Sequence, residues 1–238
     1  MEGFSYTNIF DTKGIEYIII IFFFLILIPF WIVVNKTDQV KKQIKSAVHA
    51  LTLSLLRIPK GLFYSKNHTW AYLEKSGNAK IGIDDFLIHL VGEFKLNLVR
   101  IEGEMIKKGE ILAEIDQAGK RLKLHAPVSG MIISSNLKVG EDAGILKSDP
   151  YGGGWLYSVQ PTNWKVETSG FYLADEAVKW ISGELQRFKD FINVSLSKNS
   201  ESSVLVFQEG GELQENPLEG MNSEIWSDFQ NEFLDQID

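Results

Sequence analysis

The chain has 238 residues, 45% of them hydrophobic and 12% aromatic, with a formal charge of −7 and no cysteine. The lack of thiols excludes disulfides, thiolate metal sites and cysteine nucleophiles, and fits a reducing compartment. From Asn199 onward there are ten acids and no Lys or Arg, which excludes nucleic acid and anionic lipid as ligands of that stretch and makes it a solvating or interaction tail.

Tyr17 to Val34 is an uncharged apolar run of 18 residues, against roughly 20 for a helix that crosses a bilayer. A cleaved signal would need a basic leader and a small-residue cleavage site. Here the leader carries Glu2, Asp11, Lys13 and Glu16, and Val33-Val34-Asn35-Lys36 is no such site. The run therefore predicts an uncleaved anchor over 17–35. Tyr17 and Trp31 sit where amphipathic rings settle at the two interfaces, and Pro29 is a kink that membrane helices tolerate. Lys36, Lys41, Lys42 and Lys45 follow the run with only Asp38 against them. By the excess of positive charge on the inner side, residues 1–16 are expected outside and the rest in the cytoplasm. The predicted location is a single-pass protein of a bacterial inner membrane.

Residues 36–60 are expected to form an amphipathic stalk. Val40, Ile44, Ala47/Val48, Leu51 and Leu55 recur at helical spacing, with Lys41, Lys42 and Lys45 off the stripe. Such a stripe lies on anionic lipid or packs on a partner or on the chain's own domain. Pro59 ends it. Over 61–165 the period changes to two, as in Ala79-Lys80-Ile81-Gly82-Ile83 and Arg121-Leu122-Lys123-Leu124-His125, with Gly-containing turns between. Short, closely spaced strands predict a small β sandwich or barrel. Ile106-Lys107-Lys108-Gly109-Glu110 recurs as Leu137-Lys138-Val139-Gly140-Glu141, which would make two similar halves.

A helix is expected over 171–197, with Ala174, Val178, Ile181, Leu185, Phe188 and Ile192 on one stripe. The acidic tail, 198–238, contains a short strand at Ser203 to Gln208 and ends in a helix from about Ser223. Its Ile225, Trp226, Phe229 and Phe233 share one side and are assigned to docking a protein partner, since aromatic anchors are favoured at interfaces.

Four segments carry a resemblance: His68-Thr69-Trp70; Ile81-Gly82-Ile83-Asp84-Asp85-Phe86; Ala126-Pro127-Val128-Ser129-Gly130; and Asp149-Pro150-Tyr151-Gly152-Gly153-Gly154-Trp155-Leu156. In this order and spacing, over roughly residues 62–164, the chain resembles the H protein of the glycine cleavage system. The resemblance implies a mainly β, lipoyl-like barrel-sandwich hybrid, here with one transmembrane helix before it and helical appendages after it. It also implies a lysine at a hairpin tip that carries a swinging lipoyl arm. Counting back from Ala126-Pro127, that position falls on Gly119; counting forward from Glu114-Ile115-Asp116 it falls on Gln117. Neither is lysine. If Ala118-Gly119 are the turn residues, Lys120 stands on the shoulder of the hairpin, as a displaced lipoyl site or as a solvated charge beside Arg121.

No other chemistry assembles in the sequence. His49, His68, His89 and His125 lack helical metal spacing, and His68 is expected to pack and hydrogen-bond near Trp70. Asp84-Asp85 reads as a turn or helix cap, and Gly152-Gly153-Gly154 as a tight turn rather than a phosphate loop. The expected function is non-catalytic: a scaffold that docks protein subunits of a membrane complex, such as a redox or energy-conserving one, with no metal, no cofactor, no small-molecule substrate and no nucleic acid. The alternatives are a lipoyl carrier modified at Lys120 and an export-type membrane adaptor.

Overall fold

The computed structural model describes residues 9–34, 50–198 and 213–236. The chain divides into two compact units, 1–48 and 49–238.

The first unit contains α1, Ile9–Val34. Every side chain described in it, from Tyr17 to Trp31, is exposed. Among the described residues, no helix is long and apolar enough to cross a membrane. Lys36, Lys41, Lys42, Lys45 and most of the expected stalk lie outside the described residues.

The second unit is built on two sheets. The larger has the order β2-β3-β4-β10-β9-β6, from Phe63–Tyr64, Thr69–Leu73, Ala79–Ile83, Trp155–Pro161, Gly130–Ser135 and Met105–Ile106. The smaller has the order β5-β7-β8, from Lys95–Leu98, Ile111–Gln117 and Lys120–His125. All pairings are antiparallel. Alternation decides the faces: Ala79, Ile81 and Ile83 are fully buried, as are Leu122 and Leu124, while Arg121 and Lys123 point to solvent. Side chains of both sheets enter one core, including Ile81, Ile132 and Val159 from the larger and Leu96, Ile115 and Leu124 from the smaller. This is the expected sandwich, and each such burial stabilises by about 1.5–3 kcal/mol.

Helix α2, Asp85–Val91, is capped by Asp84, whose carboxylate accepts from Leu87 N at 2.9 Å. The capping role expected of this acid pair therefore belongs to Asp84. Asp85 instead holds Arg57, with Nη2 to Oδ1 at 2.8 Å and Arg57 N to Oδ2 at 2.8 Å. Tyr151 donates to Arg57 O at 2.8 Å and accepts from Asp85 N at 3.0 Å. The segment ahead of β2 is thereby stitched to the domain.

Two expectations fail here. The stalk helix does not extend through Leu51 and Leu55. Ala50–Leu51 is strand β1, paired with β11, Leu213–Gln214, because pairing supplies the backbone hydrogen bonds that a helix would have supplied. The repeat is not structural either: its first copy is β6 plus a turn, whereas Leu137–Glu141 is a short helix, α3. It is followed by α4, Gly144–Ser148, and, after β10, by α5, Trp164–Glu167. The strand expected at 203–208 lies outside the described residues.

Helix α6 runs Ala174–Lys198. Its Ile181, Leu185, Phe188 and Ile192 are buried in the common core. Helix α7, Ser223–Phe229, capped by Asn222 onto Ile225 N, leads into a π-helical turn at Gln230–Leu234. Ile225, Trp226, Phe229 and Phe233 are at most 1% exposed and belong to the same core. Their assignment to a protein partner is thus corrected: the apolar side of this helix covers the chain's own domain. Helical periodicity identified the buried side but not the surface that buries it.

Candidate functional site

Strands β7 and β8 form a hairpin in which Gln117 pairs with Lys120. Two residues remain for the turn, Ala118 at φ 51° and Gly119 at φ 85°. Positive φ at both is the type I′ geometry that matches strand twist. Gly119 is the open tip, with no heavy atom within 4 Å of where a Cβ would stand. Gln117 is 8% exposed, and its amide donates to Val91 O at 2.6 Å and Glu93 O at 2.9 Å. Of the two positions reached by counting for the lipoyl lysine, Gly119 is therefore the tip and Gln117 is a buried strut.

Lys120 stands on the shoulder, as expected, but it is not merely solvated. Its Nζ donates to Glu219 O at 2.7 Å and Met221 O at 3.0 Å, and lies 4.8 Å from the centre of the Trp226 ring. Burial lowers its pKa, and Glu219 works in the opposite direction. Two carbonyl oxygens and an indole face form a cage suited to an ammonium. The cage comes entirely from the C-terminal segment.

That segment also occupies the free edge of β8. The Gln230 side chain accepts from Lys123 N at 2.7 Å and donates to Lys123 O at 3.2 Å, pairing with the strand as another backbone would. Asp235 meets His125 Nε2 at 2.7 Å, while Nδ1 contacts Gly109 O at 2.8 Å. An oxygen at each ring nitrogen fixes the orientation of this imidazole.

A buried charge cluster surrounds His68. His68, at φ 56° and 0% exposed, bonds Asp84 Oδ2 through Nδ1 at 2.8 Å. Its Nε2 is 3.6 Å from Glu184 Oε2 on α6, an ion-pair contact too long for a hydrogen bond. The ring stacks between Phe86 at 4.8 Å and Trp180 at 5.1 Å. Burial would lower the His68 pKa, but the Asp84 carboxylate, with Glu184 adding to it, outweighs that and raises it to about 9. Glu184 Oε1 also accepts from Arg187 Nη1 at 2.8 Å. Arg187 in turn donates to Glu232 O at 2.6 Å and packs 4.0 Å over Phe233. This relay joins the residue ahead of β3, the N-cap of α2, α6 and the terminal turn. The sequence marked His68 as packed and hydrogen-bonded but missed Glu184 and Arg187. The available signal was an acid beside Ile181 and Leu185 on the apolar stripe. Among the described residues, no three His, Cys, Asp or Glu converge on a metal position.

The family described as "Glycine cleavage H-protein" matches residues 62–184. The chain belongs to this family. The match reaches past residue 165, the end of the domain expected from the sequence, and takes in the start of α6. A probable glycine cleavage system H protein of Pyrococcus abyssi is 28% identical over 52% of this chain and 92% of its own length. The glycine cleavage system H protein of Thermus thermophilus is 32% identical over 44% of this chain and 80% of its own. A crystal structure of an H protein from Mycobacterium marinum, 32% identical, covers 44% of this chain and 87% of that one with a TM-score of 0.41. Within the H-protein domain, the glycines of the fourth motif act as a turn: Asp149 accepts from Gly152 N at 2.9 Å and Gly153 N at 2.5 Å. Trp70 of the first motif rests on Gly82 and donates to Ile83 O at 2.9 Å.

Proposed function

We propose that this H-protein-family chain is a docking scaffold held at a membrane and carries no lipoyl arm. The observation behind this reading is the hairpin. Its tip is Ala118-Gly119, without an amine, and the neighbouring amine of Lys120 is caged by Glu219, Met221 and Trp226. Such a domain keeps a protein-facing surface and loses the swinging chemistry. The tether is the apolar helix with its exposed side chains, extended in sequence to Val34 and followed by Lys36, Lys41, Lys42 and Lys45. It places residues 36–238 on the cytoplasmic side and raises the local concentration of whatever the domain binds. The partners are other protein subunits of a membrane complex, such as a redox or energy-conserving one, and the chain performs no catalytic step.

The test is purification from native membranes, with intact mass measured on this subunit and co-purifying proteins identified. The expected result is a carbonate-resistant membrane protein without a lipoyl adduct, accompanied by stoichiometric partners. Protease added to right-side-out vesicles should leave residues 60–238 intact. A second reading, a lipoyl carrier acylated at Lys120, draws support from family membership and from the lowered Lys120 pKa, which raises the neutral amine fraction. A stoichiometric adduct on Lys120 would establish it and overturn the scaffold.

A further inference from the structure

The Lys120 ammonium has three protons to give, and the chain takes up two of them itself. They go to Glu219 O at 2.7 Å and Met221 O at 3.0 Å, with the Trp226 ring 4.8 Å away. The loop that carries both carbonyls is pinned to the end of α2, by Asn216 N on His89 O at 2.9 Å and Leu218 N on Leu90 O at 3.0 Å. Trp226 Nε1 holds Leu218 O at 2.8 Å, and Asn222 caps Ile225 N at 2.9 Å, so α7 begins directly after the Met221 carbonyl. Further along, Gln230 and Asp235 tie the same segment to Lys123 and His125 of β8. An amine is acylated through its lone pair. Neutral Nζ attacks the carbonyl carbon of an activated acyl donor, such as a thioester or an acyl adenylate. An amide C–N bond forms, the leaving group departs with its electron pair, and Nζ gives up a proton. The two carbonyls and the indole face all favour the ammonium, which has no lone pair. Reaction therefore requires Nζ to leave this cage.

We propose that the C-terminal segment is a guard that withholds Lys120 from activated acyl groups. The inference rests on the reading that this H-protein domain carries no lipoyl arm, and deepens it. The hairpin tip has no amine, and the guard takes the neighbouring amine out of reach.

The probe is N-hydroxysuccinimidyl acetate, added to the full chain in detergent micelles, with acetylation of each lysine followed by peptide mass spectrometry. Each rate is divided by that of the same lysine in the urea-unfolded chain, which removes differences intrinsic to the local sequence. Lys75, exposed on the turn between β3 and β4, is the reference. Lys120 should react at least about tenfold more slowly than Lys75, since two charge-assisted hydrogen bonds must first break. Asn222→Ala removes an exposed cap and frays α7 beside the Met221 carbonyl. It should speed Lys120 by about two- to thirtyfold and leave Lys75 unchanged. Trp226→Leu removes the ring and its tie to Leu218 O, and should speed Lys120 at least about fivefold. A cooperative urea transition shows that each variant is folded, and the cap variant keeps the test sound if Trp226→Leu does not fold. The two readings fail separately. Absence of partners in the native-membrane preparation overturns the scaffold and leaves the protection of Lys120 as it is. Lys120 reacting as fast as Lys75 overturns the guard, as does protection that the folded variants leave unchanged.

Discussion

Trp226→Ala separates a core helix from a partner-docking helix. Trp226 is 1% exposed, donates from Nε1 to Leu218 O at 2.8 Å and provides the ring beneath Lys120 at 4.8 Å. Truncating a buried tryptophan costs about 3–5 kcal/mol, which includes the cavity left behind. The freed Leu218 carbonyl and the loss of the cation–π contact act in the same direction, each by about 0.5–1.5 kcal/mol. For a unit of this size, 1 kcal/mol moves the melting temperature by roughly 2–4 °C. Together these losses reach about 4–8 kcal/mol, so the expected drop is roughly 8–32 °C, measured by circular dichroism on the full chain, with loosened packing around Lys120. A melting temperature within about 2 °C of the parent, together with loss of a co-purifying protein, would refute the burial and restore α7 as a docking element.

His68 provides a pH test. Its folded pKa of about 9 lies above the ordinary 6.5, so its contribution is complete below pH 6.5 and is lost as pH rises through 9. That contribution is on the order of 3 kcal/mol. In urea titrations between pH 6 and 10, His68→Asn, which tolerates the positive φ, should remove this slope while the parent keeps it. Gly82→Ala places a Cβ 2.6 Å from the Trp70 ring, whose indole is fixed on Ile83 O. It should destabilise by about 1–3 kcal/mol as overpacking, read as a lower denaturation midpoint; no change would mean that Trp70 is free to shift. Gly119→Lys puts an amine on the open tip, with room for its Cβ but at φ 85°, a strain of about 1–2 kcal/mol. Coexpressed with lipoylating enzymes it should gain a lipoyl adduct by intact mass while the parent does not. An unmodified variant would show that more than the missing lysine sets this hairpin apart.

Local chemistry made much of the protein legible. Strict alternation identified β4 and β8, because a one-residue slip would turn Ile81, Ile83, Leu122 and Leu124 to solvent. Ala118-Gly119 defined the hairpin turn, and the four motifs pointed to the family. Asp84 was readable as a cap because its bond to Leu87 N spans three residues. What the sequence left open was decided by contacts between distant residues. The stripe on α7 said that Trp226 and Phe229 are covered, but only the folded chain shows that its own domain covers them. The Lys120 partners lie 99 and 101 residues away, and the Glu184 that faces His68 comes from a helix beyond the β domain. Periodicity and turn chemistry are written within a few residues. The fate of an amine or an imidazole depends on which carbonyls, carboxylates and rings the tertiary packing brings around it, and no local pattern encodes that.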